Sequence, residues 1–155
     1  MDVTDEHIPE ERFAECLAVL PQACVEVVLE HDGGVLLARR TNEPAEGEWF
    51  WPGGRLYRGE RLPDAARRVA REELGIAVGL LGQLGAYGHF WDTASVDGLD
   101  SRHTVNVVYH CRPADEDFEI DLDDQHDDYR FVTGVEDWMH EYVREYVEDS
   151  GILGG

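Results

Sequence analysis

The chain has 155 residues, enough for one domain with a substantial core, and 34 acids against 13 basic residues give it a formal net charge of −21. All 13 basic residues are arginine, and so negative a chain is a poor partner for nucleic acid or anionic membranes. The charge fits a halophilic protein in a very salty cytoplasm, where the Debye length contracts to about 3 Å at 1 M salt, or an acidic surface that docks a basic partner.

Residues 1–10 are polar and are expected to fray. Glu11 to Leu20 can form a short helix ended by Pro21, and Ala23 to Leu29 alternates as a strand. His31-Asp32-Gly33-Gly34 is a turn into a second strand, Val35 to Arg39. Glu43 to Glu48, with Pro44 and Gly47, reads as a loop, and Trp49 to Trp51 as a brief aromatic strand that belongs to the core. A Gly53-Gly54 turn follows, which would let bare backbone approach a ligand. Pro63 near its start and Gly75 past its end frame a central helix. Val78 to Phe90 and His103 to Cys111 read as strands separated by a polar loop, Asp92 to Ser101. Arg130 to Val132 is a short strand, and Gly134 to Glu148 has helical period with Trp138, Tyr142 and Tyr146 on one side. Strands mixed with helices at each end and in the middle predict a single α/β domain over 1–155, built as an α/β/α sandwich.

No apolar run is long enough to span a bilayer, and the amino terminus does not read as a signal peptide. Cys16, Cys24 and Cys111 are odd in number, with no CxxC pair, which predicts a reduced, cytoplasmic protein using cysteine as a small apolar side chain.

The central helix carries the chemistry. One face reads Leu62, Ala66, Val69, Glu73, so three apolar residues are followed by an acid on the buried side. A buried carboxylate must be neutralised, paired or bound to metal. Glu72 is a second acid next door, and Arg68 lies one turn earlier, placed to orient it. With the glycine pair just upstream, these features suggest a magnesium site facing a phosphate.

This segment resembles the Nudix hydrolase signature. Gly54, Glu60, Arg68, Glu72, Glu73, Gly75 and Ile76 fall in register and Ala70 fills an apolar slot, but Val69 stands where the family places a Glu. That departure argues for a reduced metal site. Three longer stretches, Arg39 to Arg55, Tyr87 to Asp92 and Asp123 to Val132, look like the GDP-mannose mannosyl hydrolases within that family. The resemblance implies a mixed sheet and a homodimer. It further implies Mg²⁺ held by Glu73, the Gly53 carbonyl and Gln125, with Glu72 open as a further ligand. His126 would be the general base, Arg40, Arg55 and Arg68 would line the diphosphate, and His89 would touch substrate. The implied reaction is hydrolysis of a GDP-hexose to GDP and free sugar by water attack at the anomeric carbon. Attack at phosphorus, or a non-catalytic nucleotide-sugar sensor, are the rival readings. Glu26 stands where that subfamily has Asp, and Asn106 where it has an aromatic, which leaves the hexose and base open.

Overall fold

The computed structural model describes residues 1–92 and 96–154. Helix α1 (Glu10–Val19) leads into strands β1 (Gln22–His31), β2 (Gly34–Arg40), β3 (Trp49–Phe50) and β4 (Gly53–Arg55). Helix α2 (Leu62–Leu74), strands β5 (Val78–Trp91), β6 (Arg102–Pro113) and β7 (His126–Val132), and helix α3 (Glu141–Ser150) complete the chain. The polar loop expected over 92–101 lies partly outside the described residues.

The seven strands form one mixed sheet with path β3-β2-β1-β6-β5, with β4 added beside β1 and β7 beside β2. Strand β1 is the hinge of this arrangement. Its first half pairs antiparallel with β4, its last residues pair with β2, and its other edge runs parallel to β6. The link from β1 to β2 is the Asp32-Gly33 pair, both at positive φ (49° and 79°), the backbone that a tight hairpin needs. Alternation along β1 divides the core. Val25, Val27 and Leu29 face α2 through Ala66, Val69 and Leu74, whereas Val28 and Val108 face Val143 and Val147 of α3. A helix thus covers each face of the mixed sheet, giving the expected α/β/α sandwich.

Helix α2 ends at Gly75, left-handed at φ 68°, whose N–H reaches Arg71 O at 3.0 Å; a Cβ there would also meet Asp121 at 2.9 Å. No helix among the described residues is long and apolar enough to cross a membrane.

Four expectations change. The amino-terminal residues are tied down at two points: Thr4 N donates to Arg58 O at 2.8 Å, and Arg55 Nη2 donates to Glu6 O at 3.2 Å. Gly53-Gly54 is no turn but the start of β4, opposite Glu26 and Val25. Glycine is required because a Cβ at Gly53 would sit 2.7 Å from Glu26 Cγ. The last helix begins only at Glu141. His140 caps it by accepting the Tyr142 N–H on Nδ1 at 3.1 Å, which leaves Trp138 outside, stacked on Arg130. Of the free cysteines, Cys24 and Cys111 are buried as expected, but Cys16 is exposed.

Candidate active site

A cavity of about 370 Å³ opens over the half of β1 that pairs with β4 and β6. Strand alternation places Gln22, Cys24 and Glu26 of β1 on its wall, with Arg102, Thr104 and Asn106 of β6 alongside. Gly53 and Arg55 of β4, Glu73 from the last turn of α2, and Asp123 and Gln125 from the segment entering β7 close one end.

Glu73 is the centre of that end. Its side chain is 8 % exposed and Oε1 has no hydrogen-bond partner. Burial raises its pKa well above the ordinary value and the Asp123 carboxylate adds to the rise; the Gly53 backbone N–H and Arg40 oppose it. His126 Nδ1 lies 3.7 Å from Glu73 Oε1 and 2.7 Å from Asp123 Oδ1, while its Nε2 is buried and unpartnered. Ligand atoms of Glu73, Asp123 and His126 all fall within 4.8 Å of one another. Two carboxylates drawn together out of water, with orphaned acceptors beside them, fit a divalent cation. Gly53 and Gln125, the other expected ligands, line the same end, and the Gln125 backbone is fastened by the Thr41 N–H at 2.9 Å.

The residue expected as base is placed differently from the sequence reading. His126 does not line the cavity; its side chain is fully buried behind the wall because β7 begins there and turns its first side chain inward. Asp123 is the member of the Asp123–His126 pair that faces the cavity. Nothing but a shared acid-rich run had distinguished Asp123, so it was missed.

The three arginines also part company. Arg40 lines the cavity, donates from Nε to Pro44 O at 2.7 Å, and is desolvated, with Glu73, Glu26, Asp123 and Glu43 offsetting the loss of water. Arg55 lies over the Tyr57 ring at 4.8 Å and also lines the cavity. Arg68 reaches the rim but is already engaged. It donates to both oxygens of Glu60 at 2.7 and 2.9 Å, to Glu72 at 3.0 Å and to the Arg55 carbonyl at 2.8 Å, and lies 3.9 Å over Tyr57. A guanidinium so satisfied holds the α2–β4 junction and has few donors left for a diphosphate.

His89 lines the cavity from β5, buried between Tyr142, stacked at 4.1 Å, and the Tyr146 hydroxyl, 2.9 Å from Nε2. Burial lowers its pKa to about 4, so it meets a ligand as a neutral ring. Glu26, noted in the sequence only as a departure, is buried on the wall and pushed by burial up to about 8, with the Tyr146 hydroxyl opposing. Its signal was an acid inside an otherwise apolar strand. Trp49 is half-buried and packs Arg130 at 3.9 Å, while Phe50 and Trp51 are core residues that also reach the cavity.

With this geometry in place, comparison with known proteins is informative. The family model described as NUDIX domain matches residues 20–145. A protein of Haloferax volcanii, "Low-salt glycan biosynthesis protein Agl8", is 40 % identical over 141 residues, 91 % of this chain and 89 % of that protein. The Escherichia coli "Nucleoside triphosphatase NudI" is 28 % identical over 119 residues, covering 73 % of this chain and 82 % of its own length. Among solved structures, a MutT Nudix hydrolase from Burkholderia pseudomallei superposes with TM-score 0.66 at 25 % identity over 84 % of this chain and 98 % of that one. The MutT protein of Methanosarcina mazei gives 0.69 at 22 % identity over 86 % and 95 %.

Proposed function

Since this chain belongs to the Nudix hydrolase family, we propose that it hydrolyses a GDP-hexose of the GDP-mannose type to GDP and free sugar in the presence of Mg²⁺. The observation that carries the reading is the reduced metal end of the cavity. Glu73 is the one buried acid of the signature helix facing it, whereas Val69, 1 % exposed, fills the place of a further acid with hydrocarbon. A divalent ion held by Glu73 with Gly53 and Gln125, and with Asp123 beside them, would supply electrostatic relief for charge on a departing diphosphate.

The protein's own groups do the rest. Arg40 and Arg55 neutralise the diphosphate, and no separate general acid is needed because GDP leaves as an anion with the electron pair of the broken C–O bond. Water attacks the anomeric carbon on the face away from the diphosphate through an oxocarbenium-like transition state, inverting the centre. Its proton passes to the Asp123–His126 pair through Asp123, the member that faces the cavity, and the 2.7 Å contact with His126 Nδ1 holds that carboxylate in place. His126→Gln is expected to cost roughly 10²- to 10⁴-fold in rate with near-normal affinity for GDP. A variant within threefold of wild type would remove His126 from the reaction.

A second reading, attack at phosphorus, is favoured by the complete Glu60–Arg68–Glu72 array and by a relative named as a nucleoside triphosphatase. A relative named for glycan biosynthesis favours the sugar nucleotide. Turnover in ¹⁸O-labelled water over GDP-, UDP- and ADP-sugars separates them. Label in the sugar supports attack at carbon, label in phosphate supports the second reading, and no turnover with retained binding leaves a nucleotide-sugar sensor.

A further inference from the structure

The cavity has an opposite end, and its chemistry differs. Arg102, the first residue of β6, lines it beside Gln22, the first residue of β1. Val108 of β6 is in register with Glu26, and Glu26 with Gly53, so Arg102 starts six residues upstream of the metal-end row. Its guanidinium meets Gln22, four rows from Glu26, about 13 Å along the strands. Arg102 Nε and Nη2 both donate to one neutral acceptor, Gln22 Oε1, the former at 3.1 Å. Among the described residues Arg102 forms no ion pair, and unlike most of the other arginines without one it is desolvated by burial. Another guanidinium, Arg40, opposes its charge, and burial lowers the pKa of both.

In a chain with 34 acids an internal partner is easily supplied, and a desolvated cation without one is costly. A pin between β1 and β6 needs only a neutral donor; the charge is superfluous to it. With the Nε/Nη2 edge on Gln22, the Nη1/Nη2 edge of the fork remains, and that edge matches the two oxygens of a carboxylate or phosphoryl group.

We propose that Arg102, oriented by Gln22, is an anion subsite that takes a carboxylate or phosphate on the part of the ligand remote from Glu73, so that an acidic sugar is preferred to a neutral one. The identity of the ligand rests on the nucleotide-sugar reading above; the anion chemistry does not. Calorimetric titration of the Mg²⁺-loaded protein at fixed KCl with GDP, a GDP-hexose and the matching GDP-hexuronate reads it directly. Wild type is expected to bind the hexuronate about tenfold tighter than the hexose, a difference of about 1.4 kcal/mol. Arg102→Gln should erase that preference and leave GDP and GDP-hexose affinities unchanged. Arg102→Lys, which keeps charge without the fork, should retain part of it, and it serves as the readout if Arg102→Gln does not fold. Equal affinities in wild type overturn the proposal, as does a loss of GDP affinity in the variant, which would place the nucleoside at Arg102. If no nucleoside diphosphate derivative binds, the nucleotide-sugar reading falls by itself. Glucuronate 1-phosphate against glucose 1-phosphate then takes over as the probe, and absence of an Arg102-dependent preference there overturns the subsite.

Discussion

Glu72 and Glu73 are neighbours on one helix, in one motif, yet they occupy opposite physical situations. Glu72 is 55 % exposed and paired with Arg68 at 3.0 Å; Glu73 is 8 % exposed and its Oε1 is unpaired. The cause is helical geometry, since adjacent residues point about 100° apart and only one can face the β4 backbone. The pair belongs to two regions. Around Glu72 the Glu60–Arg68 clasp is closed, with each charged group satisfied inside the protein. Around Glu73 the groups are desolvated and incompletely paired. Membership of a motif therefore does not assign a role; unfinished pairing in a place without water does.

The sharpest test of that difference is removal of each charge in turn. Glu73→Gln should weaken Mg²⁺ activation by roughly 10²-fold, the upper end of what perturbing a metal's surroundings costs, while Glu72→Gln has a small effect. Magnesium dependence of the turnover rate measures both. The metal-free unfolding midpoint of Glu73→Gln should hold or rise, because a desolvated carboxyl beside the Asp123 carboxylate is replaced by a neutral amide. A larger metal defect in Glu72→Gln would reverse the comparison.

The closed region should fail in stability instead. Glu60 and Arg68 side chains are 6 % and 15 % exposed, so Glu60→Gln breaks a buried pair and should lower the unfolding free energy by about 3 kcal/mol in urea. Magnesium affinity should change little. If both fall together, clasp and metal end are a single unit.

Glu26 offers a pH test of the open region. Burial holds it at about 8 in the folded chain against 4.5 for a free glutamate, so between those values the folded state keeps a proton that the unfolded chain has lost. Its sign is thus destabilising with rising pH: the cost is absent below about 4.5, grows through the window and levels off above about 8. Glu26→Gln should flatten the fall in metal-free unfolding midpoint from pH 5 to 8, relative to wild type. An unchanged slope would mean that Glu26 ionises freely in the folded protein.

The layers of the sandwich were legible because they depend on local rules. Alternation gave β1, β2 and β6, the Asp-Gly pair gave the hairpin, and Pro63 with Gly75 framed α2. What stayed hidden depends on partners far away in sequence. The glycine pair resembles a turn, and only Glu26, opposite on β1, makes Gly53 a strand position without room for a Cβ. Helical period continued through Trp138, but Arg130 holds that indole, and His140 restarts the backbone as a cap. Of the site, Glu73, Gly53, Gln125, Arg40, Arg55 and His89 were found by motif and do share the cavity. Asp123 and Arg102 were not, because a single acid among acids, or one arginine before a strand, has no local signature. Arg68 was found with Glu72 as its partner, but its clasp on Glu60, eight residues upstream, was not.

The smallest expected effect tests the same lesson within the motif that resembles the mannosyl hydrolases most. Asp127 follows His126 directly and by sequence is an equal candidate for orienting it. Strand alternation separates them: His126 turns inward to Asp123, and Asp127 turns outward to Arg39 at 2.7 Å, both partners being 49 % and 41 % exposed. The contact holds the Asp127 carboxyl below its ordinary pKa, yet an exposed ion pair contributes little, and high salt screens it further. Asp127→Asn is therefore expected to leave both turnover and the unfolding midpoint unchanged, in contrast to Asp123→Asn, which should lose rate with His126→Gln. If Asp127→Asn instead matched the histidine variant, the motif would be acting through its sequence neighbours, and the inward-facing Asp123 contact would not be what sets the imidazole.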